Sequence, residues 1–180
     1  KVVVEAKDRP NFIANRIFLF SVMHTLKTMT AHGLTVEEVD ALTGPLVGRP
    51  RMASFRLADF TGIDICYYVA KTIYDLVPDD ENRYVYSPPA FLKEMLDKGM
   101  LGDKSGGGFY KRDKSAHGGR LVLDIDKLDY REMRPPQWDS VDAASKNRDL
   151  GGRIKQLISS DDPAGRFLWE TLSSLFLYAA

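Results

Sequence analysis

One stretch constrains this chain more than any other. Between Pro10 and Gly33 the apolar residues Phe12, Ile13, Ile17, Phe18, Leu19, Phe20, Val22, Met23, Leu26 and Met29 go almost all the way round a helical wheel. A helix apolar on every face is central to a bundle or lies in an interface. Asp8 can cap it, Pro10 is tolerated in a first turn, and Gly33 stops it, so a helix is expected over about 10–32. At 180 residues with 44% hydrophobic and 11% aromatic content, the chain can build a core around such a helix.

Shorter helices follow the same logic. Thr35 with Glu38 makes a capping box and predicts a helix over 36–42. A helical stretch is expected over 53–60, ending at Gly62. Asp64 then opens an amphipathic helix with Ile65, Tyr68, Val69, Thr72, Ile73 and Leu76 inward and Pro78 as its stop. Pro88-Pro89 opens another, with Phe91, Leu92, Met95 and Leu96 inward and Gly99 at its end. Leu121-Val122-Leu123 reads as a short strand. Segments 141–148 and 153–159 read as helices, and Pro163 starts a last one with Phe167, Leu168, Leu172, Leu175 and Phe176 on one face. The fold class is mainly α, a helical bundle with minor extended segments.

Charge and cysteine usage exclude several functions. Lys+Arg and Asp+Glu are 25 each, so net charge gives no case for nucleic acid or an anionic membrane. The lone Cys66 cannot form an internal disulfide, which fits a reducing compartment, and a cytoplasmic location is expected. No apolar run approaches the roughly 20 residues that span a bilayer.

Candidate chemistry is sparse. The run GDKSGGGFY at 102–110 has its Lys-Ser before the glycines and an aromatic pair after them. That is the wrong order for a P-loop, and it reads as a tight turn packing Phe109 and Tyr110 on the helices. His24, His32 and His117 lack metal-ligand spacing, Cys66 reads as core, and Glu37, Glu38 and Asp40 read as capping and a solvated face. Asn15 is the exception. Asn is a poor helix former, and its i+4 and i+7 neighbours are Leu19 and Val22. An amide on that row needs a partner, since leaving a buried donor unmade costs roughly 1–3 kcal/mol. It is either bonded inside the core or presented to a ligand. Arg16 beside it reads first as a salt-bridging residue, second as part of the same site.

KDRPNFIANR at 7–16, GPLVGRPRMASFRLADFTGID at 44–64 and KGMLGDKSGGGFYKR at 98–112 resemble, in order, three segments of the C-terminal domain of L-3-hydroxyacyl-CoA dehydrogenases. The segment from Asp113 on resembles the linker of long multifunctional forms that also carry an enoyl-CoA hydratase region. The resemblance implies a fold like the C-terminal domain of 6-phosphogluconate dehydrogenase. It also implies oxidation of 3-hydroxyacyl-CoA to 3-ketoacyl-CoA with NAD in fatty-acid β-oxidation, a substrate-binding and dimerisation role for this domain, and a catalytic, substrate-contacting role for Asn15. The NAD and the catalytic His–Glu pair would belong to a Rossmann domain outside this sequence.

On this reading Val2-Val3-Val4, within 1–8, ends the missing Rossmann domain. Residues 9–112 form the helical domain, 113–150 a linker, and 151–180 the start of a truncated second helical unit. Both ends look cut, and the fragment is expected to be inactive alone. The expected partners are an acyl-CoA substrate, the missing lobe and a second copy through apolar helices. The competing reading is a stand-alone helical association module. A Rossmann domain encoded upstream favours the first reading, and a native start codon near Lys1 the second.

Overall fold

The computed structural model describes residues 3, 5–6 and 8–180. The strand expected at Val2-Val3-Val4 lies largely outside the described residues. The chain is mainly helical, with one small sheet. The elements run α1 (Ala14–His32), α2 (Val36–Thr43), α3 (Ser54–Thr61), α4 (Ile63–Leu76), α5 (Ala90–Asp97), β1 (Tyr110–Arg112), β2 (Arg120–Asp124), β3 (Asp129–Glu132), α6 (Asp139–Ser145), α7 (Leu150–Ile158) and α8 (Pro163–Ala179).

Helix α1 is the axis of the bundle. Leu19, Phe20, Val22, Met23, Leu26 and Met29 are buried on it, each contributing roughly 1.5–3 kcal/mol. It begins at Ala14, four residues later than expected. Asn11 and Phe12 sit at φ 66° and 51°, in a left-handed turn closed by the Phe12 N–H on the Arg9 carbonyl at 3.1 Å, and that turn cannot continue a right-handed helix. Phe12 is consequently 65% exposed and Ile13 45%. The other end stops as the sequence predicts: Gly33, at φ 64°, returns its N–H to Met29 and Thr30.

Helix α8 lies antiparallel on α1. The rings of Phe20 and Tyr178 stack at 4.0 Å near one end, and His32 Nε2 meets Glu170 Oε2 at 2.9 Å near the other. Asp162 caps α8 through the Gly165 N–H, and Phe167 and Leu168 are buried in the seam. Thus α1 is apolar all round because α8 covers a face that the other helices leave open. Only the start of the expected row on α8 is buried: Leu172 and Leu175 pack partly, and Phe176 stays exposed.

Helix α4 corrects the predicted inward face. Its buried residues are Ile63, Cys66, Ala70 and Ile73, while Ile65, Tyr68 and Leu76 are 47%, 59% and 61% exposed. Two apolar stripes share this helix, and the bundle takes the one with the smaller side chains. Asp64 sits in the first turn, bridged to Lys104 Nζ at 2.5 Å, and Gly62 holds the cap position.

The sheet is an antiparallel meander in the order β1-β2-β3, with Tyr110 opposite Val122 and Arg112 opposite Arg120. Residues 113–150, expected as a linker, hold β2, β3 and α6 and bury Val122, Leu123, Leu128 and Ala144 in the common core. Leu121-Val122-Leu123 is the centre of β2. Its partners were hidden in sequence because YKR and DYRE carry little hydrophobic signal. Among the described residues no helix is long and apolar enough to cross a membrane.

Candidate functional site

Asn15 occupies the first turn of α1, one turn before the buried Leu19. The sequence row that suggested a buried amide is real from Leu19 onward, but Asn15 lies where the helix emerges from the bundle. It is exposed, and its amide makes no hydrogen bond among the described residues.

The neighbouring Arg16 is held firmly. Its guanidinium forms an ion pair with Asp80, and its Nε donates to the Tyr178 hydroxyl at 2.7 Å. The Tyr178 hydroxyl donates to Asp80 Oδ2 at 2.9 Å. The buried Tyr86 hydroxyl lies 2.7 Å from that of Tyr178 and 3.0 Å from the Arg16 carbonyl. Burial is the largest single influence at Asp80 and works against charge, but the hydrogen bonds from Arg16, the Asn82 N–H and Tyr178 together with the Arg16 charge outweigh it and keep the carboxyl below its ordinary range. Arg16, facing the same burial penalty, is raised by Asp80 and Tyr178. The first reading of Arg16, an ion-paired helix residue, holds. Asp80 and Tyr178 went unnoticed in sequence; the one signal was a lone hydroxyl near the end of an apolar helix. Beside this cluster a cavity of about 590 Å³ opens, with Phe12, Ile13 and Arg16 on one wall and Asp79, Glu81 and Tyr178 on another.

The other two sequence motifs meet far from Asn15 in the chain. The carboxylate of Asp59, 1% exposed, accepts the backbone N–H of Phe109 at 2.8 Å and of Tyr110 at 2.9 Å. Phe109 then packs on Phe55 with ring centroids 4.5 Å apart. Two glycines make this approach possible. A Cβ on Gly108 would fall 2.1 Å from Asp59 Oδ1, and one on Gly102, at φ 96°, would fall 2.3 Å from the Asp59 carbonyl oxygen. The expected tight turn is present, and its glycines face a carboxylate. A dinucleotide pyrophosphate does not fit there, since the backbone N–H groups that would cradle it are spent on Asp59.

A sequence profile of the family described as "3-hydroxyacyl-CoA dehydrogenase, C-terminal domain" matches residues 12–112, which takes in the second half of the first motif and the whole of the others. The chain belongs to this family. A Bacillus subtilis protein described as "Probable 3-hydroxyacyl-CoA dehydrogenase" is 42% identical over all of this chain, which covers 22% of it. A Deinococcus radiodurans protein of the same description is 46% identical over 63% of this chain and 32% of its own length. The crystal structure of Mycobacterium tuberculosis FadB2 matches with a TM-score of 0.52 and 32% identity, over 62% of this chain and 37% of that one. The chain therefore spans between about a fifth and two fifths of these relatives.

Seen as a member of the 3-hydroxyacyl-CoA dehydrogenase C-terminal domain family, the chain has two of its motifs accounted for by structure and one left open. Asp40, expected on a solvated face, instead accepts the N–H groups of Phe55 and Arg56 and the Tyr110 hydroxyl, tying α2, α3 and β1 together. Burial pushes both Asp40 and Asp59 up to about 6. Glu37 is buried as well, and Arg131, with the Arg134 N–H, holds its carboxyl below the ordinary range against the burial penalty. Glu38 closes the capping box on Thr35 as expected. Cys66 is core, its thiol pushed up to about 11 by burial. His24 packs edge-on to Phe20 and bonds Thr28, and His117 is exposed. Among the described residues no three His, Cys, Asp or Glu are placed to hold a metal.

Proposed function

We propose that this chain is the helical, substrate-facing domain of an NAD-dependent 3-hydroxyacyl-CoA dehydrogenase of fatty-acid β-oxidation in the cytoplasm. The nucleotide and the catalytic His–Glu pair sit on a separate lobe, and the 180-residue chain alone is inactive. Asn15 is the residue this chain gives to the chemistry. Its carboxamide donates a hydrogen bond toward the reacting oxygen of a 3-hydroxyacyl or 3-ketoacyl thioester.

One observation carries the reading. In a family segment, an amide with no hydrogen-bond partner among the described residues stands on a helix end whose position is fixed from below. Leu19 and Phe20 are buried, and Arg16 is clamped by Asp80 and Tyr178, so the Asn15 backbone has little room to move. A preorganised donor aimed at developing charge is worth far more than a floppy one. Its exposure suits a group that must meet a ligand arriving from another lobe. The test is turnover of acetoacetyl-CoA with NADH by the full-length enzyme. Asn15→Ala is expected to lower kcat while leaving the fold intact, and an unchanged kcat overturns the reading.

The same reading includes a homodimer through apolar helices. Helix α1 is covered by α8, so the surface that supports pairing is the exposed stripe Ile65, Tyr68 and Leu76 on α4. Sedimentation of a Tyr68→Ser variant tests it, with a shift toward monomer as the expected result.

A further inference from the structure

The net charge of zero hides a local asymmetry. Where the meander meets the start of α3, two adjoining cavities of about 670 and 350 Å³ share Arg56, Tyr110 and Arg120. Arg112 adds to the smaller one, and Arg51 and Arg134 to the larger one. Carboxylates are present, but each is already engaged. Asp103 and Asp59 pair with Arg56, Glu37 with Arg131, and Asp40 is taken up by two backbone N–H groups and the Tyr110 hydroxyl. Among the described residues Arg51, Arg112, Arg120 and Arg134 form no ion pair.

The sheet register makes the imbalance sharper. Arg112 and Arg120 stand directly opposite each other at the end of the β1–β2 ladder. Like charges directly opposite each other destabilise a sheet. Arg56 shares their side of the sheet, its guanidinium 5.9 Å from the Tyr110 ring centroid. The larger cavity is also lined by Met133, Pro135 and Pro136, apolar residues on the segment that carries Arg134.

We propose that this cleft binds a small molecule carrying at least two phosphate groups, with its phosphates on Arg112, Arg120 and Arg51 and a flat apolar part against Met133 and Pro135-Pro136. Guanidinium groups match phosphate oxygens in bidentate geometry. Several of them spread over two joined cavities suit two separated phosphates better than one carboxylate. Free nucleotides and coenzyme A both carry this chemistry.

Isothermal titration of the intact chain with pyrophosphate, ADP and coenzyme A tests the assignment. Pyrophosphate and ADP are expected to bind, with affinity falling as salt rises. The Arg112→Gln/Arg120→Gln double variant is expected to lose about tenfold or more in affinity for each ligand. Should that variant fail to fold, Arg51→Gln, on an exposed side chain ahead of α3, carries the same expectation with a smaller loss. Tighter binding of coenzyme A than of ADP identifies the coenzyme as the ligand, and equal binding identifies a free nucleotide. Absence of binding by all three, or affinities that the variants leave unchanged, overturns the proposal. Only the coenzyme A arm rests on the dehydrogenase reading. Failure of the pyrophosphate and ADP arms leaves that reading untouched, because neither Asn15 nor turnover is probed.

Discussion

Asn15 and Asp59 are both polar residues inside family segments of this chain, and their surroundings are opposites. Asp59 is sealed, and two backbone N–H groups, an arginine and two bare glycines are arranged around it. Asn15 is open, on an anchored helix end, and its amide makes no hydrogen bond among the described residues. A buried polar group with every bond made is spent on structure. An exposed one on a rigid support has bonds to give.

The contrast can be attacked in order of expected effect. The largest belongs to Gly108→Ala. A methyl group 2.1 Å from Asp59 Oδ1 must push the loop off α3, and about 3 kcal/mol or more of stability is expected to go, read as a fall in the urea midpoint. Next comes turnover in Asn15→Ala of the full-length enzyme, expected to drop about 10²–10³-fold. Asp59→Asn follows. The amide can accept only one of the two N–H bonds, so about 1–3 kcal/mol of stability is expected to be lost at neutral pH. A Gly108→Ala protein as stable as the parent would break the comparison from the structural side.

Asp59 also predicts a pH slope. Its folded value is pushed up to about 6, above the ordinary 3.8 of an unfolded chain. Between those values the folded state holds the extra proton, so this group's contribution to stability falls as pH rises from about 4 to 6 and is level above. Asp59→Asn should flatten part of that fall. Asp40, shifted the same way, should keep the rest. The smallest effect is the stability of Asn15→Ala itself, expected within about 0.5 kcal/mol of the parent by thermal melting. A large loss there would move Asn15 into the same class as Asp59.

Helix order was legible in the sequence because caps and stops are local: Thr35 with Glu38, Gly33, Gly62, Pro78 and Gly99 each act within one turn. The late start of α1 was not, since nothing in PNF announces a left-handed Asn11 and Phe12. Nor was the inward face of α4, where periodicity offered two stripes and only the packing partners could choose. At the candidate site, Asn15 stood out as a polar residue on an apolar row. Of its two readings, the amide bonded inside the core failed, because the row is longer than the bundle. Asp80 and Tyr178 lie 64 and 162 positions from Arg16, beyond the reach of any local pattern.

That last separation has a temporal side. A hydroxyl in the final turn of α8 completes the cluster under the first turn of α1, so an earlier segment of this bundle must wait for a later one. Non-local closures of this kind are slow. During synthesis the forward end of α1 lacks this brace until α8 has been made.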